Sequence, residues 1–162
     1  MSTEATRRWT TDEPRVPWGA GEVLLRETFA IQGDDFEHGG EVAARIKATL
    51  KQLGLDPDVV RRLSIANFEA EMNVIMYAQS AELELQVLPD AVRVTLADRG
   101  QGIPDIELAM QEGYSTATPE MRQRGFGAGL GLPNIRRNTD EFEIVSTPGA
   151  GTTLRYTVHF PG

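Results

Sequence analysis

Four glycines in seven positions, Gly125-Phe126-Gly127-Ala128-Gly129-Leu130-Gly131, constrain this chain more than any other stretch. A shorter cluster, Asp98-Arg99-Gly100-Gln101-Gly102, precedes it. Glycine gives up more backbone freedom on folding than any other residue, so clusters of this kind need a physical reason. The usual reason is close approach of backbone N–H groups to a partner, often an anion at the start of a helix. Turns and mobile lids use the same residue, so the glycines gain meaning only from their companions. Those companions are Asp98, placed at the end of an alternating strand, and an upstream pair, Glu69 and Asn73, spaced four apart.

The periodicity of the rest of the chain frames these stretches. Residues 1–20 are polar, hold Pro14, Pro17, Trp9 and Trp18, and read as a flexible N-terminal arm whose tryptophans dock on nothing. Alternation from Val23 to Ile31 predicts a strand. Glu41 to Leu53 reads as an amphipathic helix with Val42, Ile46, Thr49, Leu50 and Leu53 on one stripe, ended by Gly54. Asp56 and Pro57 form a cap and first turn for a second helix to about Ala78, rich enough in apolar residues to be the central core helix. Ala81–Leu88 and Ala91–Asp98 alternate about Pro89-Asp90 and predict a hairpin.

Beyond the hairpin, Pro104 to Met110 reads as a short helix and Tyr114 to Arg124 as a polar lid. A further helix is expected from about Leu130 to Asn138, then strands at Glu141–Ser146 and Thr153–Phe160 around a turn at Pro148 to Gly151. The expected fold class is α+β: a two-layer sandwich with helices on one face of a mostly antiparallel, mixed sheet, one domain over residues 21–162.

Composition narrows the function. A formal charge of −8 argues against a nucleic-acid surface, which needs clustered Lys and Arg. With no cysteine there is no disulfide framework, thiolate nucleophile or cysteine metal site, and the two histidines, His38 and His159, are far apart. No apolar run has the length of a membrane span and the first residues lack a signal-peptide core, so a cytoplasmic protein is expected.

Glu69 and Asn73 stack on one helix face, roughly 6 Å apart. A carboxylate and an amide in so apolar a helix are costly to bury unless they face a pocket. Glu71, two residues on, points elsewhere and is expected to be solvated.

In order and spacing, Glu69-x-x-x-Asn73, Asp98-x-Gly100-x-Gly102, Gly125-x-Gly127-x-Gly129-Leu130-Gly131 and Gly151-Thr152-Thr153 resemble the boxes of the Bergerat-fold ATPases, which include DNA gyrase, the histidine kinases and the anti-sigma-factor serine kinases. The resemblance spans about Leu24 to Val158. It implies that Asn73 ligates Mg²⁺, that Asp98 accepts a hydrogen bond from the adenine amino group of ATP, and that Gly100 and Gly102 let the chain pass beside the base. It also implies that Gly125, Gly127, Gly129, Leu130 and Gly131 cradle the phosphates, that Thr153 supports the adenine end, and that Arg122 and Arg124 reach the γ-phosphate. Glu69 would then be the general base.

With no phosphorylatable histidine on a preceding helix, the chain is most similar to the small anti-sigma-factor kinases. The stretch from Gly129 to Ile144 resembles the stressosome serine kinases in particular. The implied activity is an ATP-dependent protein serine/threonine kinase that phosphorylates a small, STAS-like antagonist and switches partners with its nucleotide state. A sigma factor or a phosphatase is a further candidate partner, and a homodimer a candidate assembly. A nucleotide-gated binding module without phosphotransfer, and a bare ATPase, are the alternatives. The N-terminal arm, the added Gly131 and the Thr- and Arg-rich lid depart from the family pattern.

Overall fold

A computed structural model describes residues 5–11, 13–111 and 131–162. Six strands form one sheet: β1 (Arg7–Thr10), β2 (Leu25–Gln32), β3 (Ala78–Val87), β4 (Ala91–Gly100), β5 (Glu141–Thr147) and β6 (Gly151–His159). Their spatial order is β1-β5-β6-β4-β3-β2. Each of these pairings is antiparallel, so the expected sheet forms without a parallel pair among the described residues.

Among the described residues four α-helices accompany it, α1 (Glu41–Gln52), α2 (Pro57–Tyr77), α3 (Ile106–Ala109) and α4 (Gly131–Arg137). α2 begins where expected, because the Asp56 side chain accepts from the Asp58 N–H at 2.9 Å with Pro57 at the first helical position. It lies across the inner face of the sheet and touches β2, β3, β4 and β6, while α1 and α4 pack on it in turn. The core between the layers includes Ile46, Leu50, Leu63, Leu83, Leu85, Val94, Leu96, Ile135, Phe142, Ile144 and Tyr156. Burying one such leucine contributes about 1.5–3 kcal/mol. Two expected core members face out instead: Leu53, just past the end of α1, and Phe68 on α2.

Residues 5–11 and 13–20, expected as part of a flexible arm, pack on the domain, and both tryptophans dock on it. β1 is the edge strand, in register from Arg7↔Ser146 to Thr10↔Glu143. Trp9 sets its ring edge-on to Phe142 at 5.7 Å, and Trp18 stacks with the Arg93 guanidinium. A polar segment can order in this way because its backbone completes a strand edge and its aromatic rings bury against residues far along the chain.

Glu71 is also corrected. It is 2% exposed and accepts from the N–H groups of Gly40 (3.0 Å), Val42 (3.3 Å) and Ala43 (2.9 Å). The residue at the N-cap of α1 is Gly40, which has no side chain to cap it. A carboxylate from α2 therefore takes over the orphan donors of the α1 N-terminus and meets its positive dipole end.

Candidate functional site

Along the inner face the apolar rows of β4, β5 and β6 give way to polar residues at one end: Asp98, Ser146 and Thr152. Asp98 Oδ1 accepts from the Thr152 N–H at 3.0 Å. Burial raises the carboxyl's pKa above the ordinary carboxylate value, and the N–H groups of Thr152 and Gly100 oppose that rise. The Ser146 hydroxyl shares a hydrogen bond with the Thr152 hydroxyl at 2.8 Å and accepts from the Ile103 N–H at 2.7 Å. This network stitches the loop after β4 to the turn between β5 and β6.

The glycines here answer to close backbone approach. Gly102 has φ +79°, and a Cβ on it would sit 2.7 Å from the Thr147 carbonyl oxygen. At Gly100 a Cβ would stand 3.2 Å from both Asp98 Oδ1 and the Tyr77 carbonyl. Side chains at these positions would push the loop off the end of the sheet.

Glu69 and Asn73 are half-buried on α2, one turn apart as expected. α4 brings Gly131 against both: a Cβ there would lie 3.3 Å from Asn73 Oδ1 and 3.6 Å from Glu69 Oε2. Asn134, one turn into α4, donates from Nδ2 to Glu69 Oε1 at 3.3 Å. Gly131 of α4 thus lies close against the Glu69–Asn73 face, where a Cβ would be in tight contact with Asn73.

Thr153 is placed elsewhere. Register pairs it with Ala97 and Val145, on the outer face, whereas Thr152 shares the inner face with Asp98 and Ser146. The hydroxyl beside Asp98 is therefore that of Thr152. The alternation of β6 contained this information, since Leu154 and Tyr156 are inward and Thr152 is in phase with them. Asn134 and Ser146 were missed because only tertiary contact brings them to the site. Arg122, Arg124, Gly125, Gly127, Gly129 and Leu130 lie outside the described residues, as does the expected lid.

α2 thus carries two polar pairs at a spacing of four. Asn67 and Glu71 face the interior, where Asn67 Oδ1 accepts from the Tyr156 hydroxyl at 2.6 Å. Burial, with the nearby Glu71 charge, pushes the Tyr156 pKa far up, so that phenol stays a donor. Glu69 and Asn73 sit two residues out of phase with that pair and open toward α4.

A family model described as a histidine kinase-like ATPase domain matches residues 34–158. The serine/threonine-protein kinase RsbT of Bacillus subtilis is 31% identical over 109 residues, covering 65% of this chain and 76% of that protein. The anti-sigma F factor of Caldanaerobacter subterraneus subsp. tengcongensis is 33% identical over 110 residues, covering 64% and 73%. A crystal structure of the RsbU and RsbW domains of a Mycobacterium tuberculosis protein aligns with TM-score 0.55 at 16% identity, over 83% of this chain and 32% of that one, a likeness of fold. The chain belongs to the histidine kinase-like ATPase domain family, among relatives that are anti-sigma factors and serine/threonine kinases.

Proposed function

We propose that this protein binds Mg-ATP and transfers the γ-phosphoryl group to a serine or threonine of a small partner protein, as a kinase of the anti-sigma regulator type. The observation that carries this reading is the meeting of Glu69, Asn73 and Gly131 at one point. The alternative of a nucleotide-gated binding module has no use for a carboxylate there.

The oxygen turned to that point from Asn73, Oδ1, is a hard donor of the kind Mg²⁺ takes alongside phosphate oxygens and water. Among the described residues no cluster of three His, Cys, Asp or Glu forms a separate metal cage. Asn73 would hold the metal, which when bound neutralises charge on the β- and γ-phosphates. Asp98 would select adenine: Oδ1 is held by Thr152, and the other carboxylate oxygen would accept from the exocyclic amino group. Gly131 and the glycines before it would bring backbone N–H groups to the phosphates.

Glu69, held in place by Asn134, would take the proton from the attacking hydroxyl as its oxygen bonds to the γ-phosphorus and the bond to ADP breaks. A STAS-like antagonist is the proposed acceptor. A sigma factor or phosphatase is a further proposed partner, and cytoplasm the proposed location. No helix among the described residues is long and apolar enough to cross a membrane.

Glu69→Ala and Asn73→Ala separate the roles. Glu69→Ala should bind fluorescent Mg-nucleotide normally while phosphotransfer from labelled ATP to a partner in lysate falls about 10²–10⁴-fold. Asn73→Ala should weaken Mg-nucleotide binding itself. Wild-type transfer by Glu69→Ala would remove Glu69 as the base, and nucleotide binding without any transfer by the wild-type protein would favour the binding module over the kinase.

A further inference from the structure

Residues 5–11 and 13–20 form a layer that the matched domain, residues 34–158, does not include. β1 closes the β5 edge, with Arg8 on Glu143 at 2.7 Å. The chain then crosses the outer face of the sheet, because β1 and β2 lie at opposite edges. On the way the Arg15 N–H donates to Glu141 Oε2 at 2.7 Å, and the carbonyls of Val16, Pro17 and Ala20 accept from the Arg93 guanidinium at 2.8–3.2 Å.

What this layer covers is built like a solvated surface. Arg93, Glu141, Glu143 and Thr157 are each 6% exposed or less, yet all stand on the outer face. Trp18 Nε1, Arg93 Nε, Glu141 Oε1 and Thr157 Oγ1 are buried without a hydrogen-bond partner among the described residues. A further such atom, Asn67 Nδ2, is in the core. A permanently covered layer is normally apolar or fully hydrogen-bonded, because each orphaned polar atom has lost its water for nothing. These four recover water when the segment lifts.

The segment is also tied to the candidate site. The Arg136 guanidinium lies 5.2 Å from the centre of the Trp9 ring, and Arg136 is on α4, whose first residue, Gly131, abuts Glu69 and Asn73.

We propose that residues 5–20 are a displaceable strap occupying, in cis, an edge on which a partner protein adds an extended strand, and that the Arg136–Trp9 stack makes bound nucleotide fasten the strap. The relay rests on the nucleotide reading above; the docking edge does not. The strap itself describes the occupant: a strand antiparallel to β5 with a basic residue facing Glu143, followed by an aromatic one packing on Phe142. Fastened, the strap excludes a rival because it is present at high effective concentration.

Both tryptophans of the chain, Trp9 and Trp18, are in the strap, so their fluorescence reports its attachment. Acrylamide quenching of the full chain should fall by about twofold or more at saturating Mg-ATP, with binding verified by calorimetry on the same sample. Arg136→Ala should bind nucleotide as wild type does but lose the quenching response. A labelled peptide of residues 5–20 should bind the nucleotide-free chain saturably, and at least about tenfold more weakly with nucleotide. Nucleotide that binds without lowering the quenching overturns the relay. Failure of the peptide to bind the nucleotide-free chain overturns the docking edge. Absence of nucleotide binding overturns the proposed function and the relay with it, and the peptide alone then decides the edge.

Discussion

Asp98 is costly to the unliganded fold, and under the proposed function it is the residue that selects the base. Burial raises its pKa, so the sign of its effect on stability follows directly. The contribution is fully present below the ordinary carboxylate pKa and is lost as pH rises through the raised value. Asp98→Asn keeps an oxygen to accept from Thr152 and removes the charge. In thermal unfolding from pH 4 to 8 the unliganded variant should lack this loss and be at least as stable as wild type near neutrality. Its ATP affinity by calorimetry should nevertheless fall by about 1.5–3 kcal/mol, the scale of a hydrogen bond to a charged group. Unchanged affinity would remove Asp98 from the site. Glu71 is instead a structural carboxylate, in the helix that also carries the candidate base. Glu71→Ala leaves three N–H groups of the α1 N-terminus without their acceptor, so the denaturation midpoint should drop by an amount equivalent to about 1–3 kcal/mol. An unaltered midpoint would show that water replaces the carboxylate at no cost. The spacing of Glu69 and Asn73 was legible because helix geometry alone sets it. The fate of Glu71 was not, although Gly39-Gly40 before α1, with no Ser, Thr or Asp to cap the helix, was a signal that a distant acceptor was needed.

Among the elements, the turn between β5 and β6 does most to hold the site together. It brings Thr152 to Asp98 and supplies Thr147 and Pro148 to the loop at Gly102. Two glycines here, one in the turn and one opening β6, make a controlled comparison. Gly149 has φ +82° with nothing near the position of a Cβ, so Gly149→Ala should cost only the left-handed strain, about 1–2 kcal/mol. Gly151 has φ +139°, and a Cβ there would run into the Asp98 carbonyl. Gly151→Ala must therefore move the end of β4 as well, and should lose clearly more than about 2 kcal/mol and weaken nucleotide binding too. Equal melting temperatures for the two variants would mean that the β4–β6 approach is not tight. The hairpin of β3 and β4, the two long helices and the last two strands were all readable, since alternation, caps and apolar stripes are local. Thr152 in place of Thr153 is the instructive difference. The alternation of β6 already puts Thr152 in phase with the inward Leu154 and Tyr156, and pairing to β4 then brings it beside Asp98.

Across the whole molecule, one face of the sheet carries the helical layer and the site, while the other carries the N-terminal strap. The two meet where Arg136 of α4 reaches Trp9 of β1. The fold class was legible because period-two strands around a long apolar helix can bury their faces in few other ways than as two layers. Order and spacing of the glycine, aspartate and Glu–Asn boxes likewise pointed to nucleotide chemistry before any contact was known. Low hydrophobicity made residues 1–20 look unstructured, because sequence composition measures what a segment can bury by itself. Here β1 is ordered by β5, with partners such as Arg8 and Glu143 separated by 135 positions. What the sequence determined by itself is therefore what spacing of a few residues controls: the helices, the strand phases within each hairpin and the grouping of Glu69 with Asn73. Only the tertiary structure decided which carboxylate caps a helix, that Asn134 and Ser146 join the site, and which strand closes the sheet. Those outcomes depend on contacts between distant segments, whose geometry no local pattern encodes.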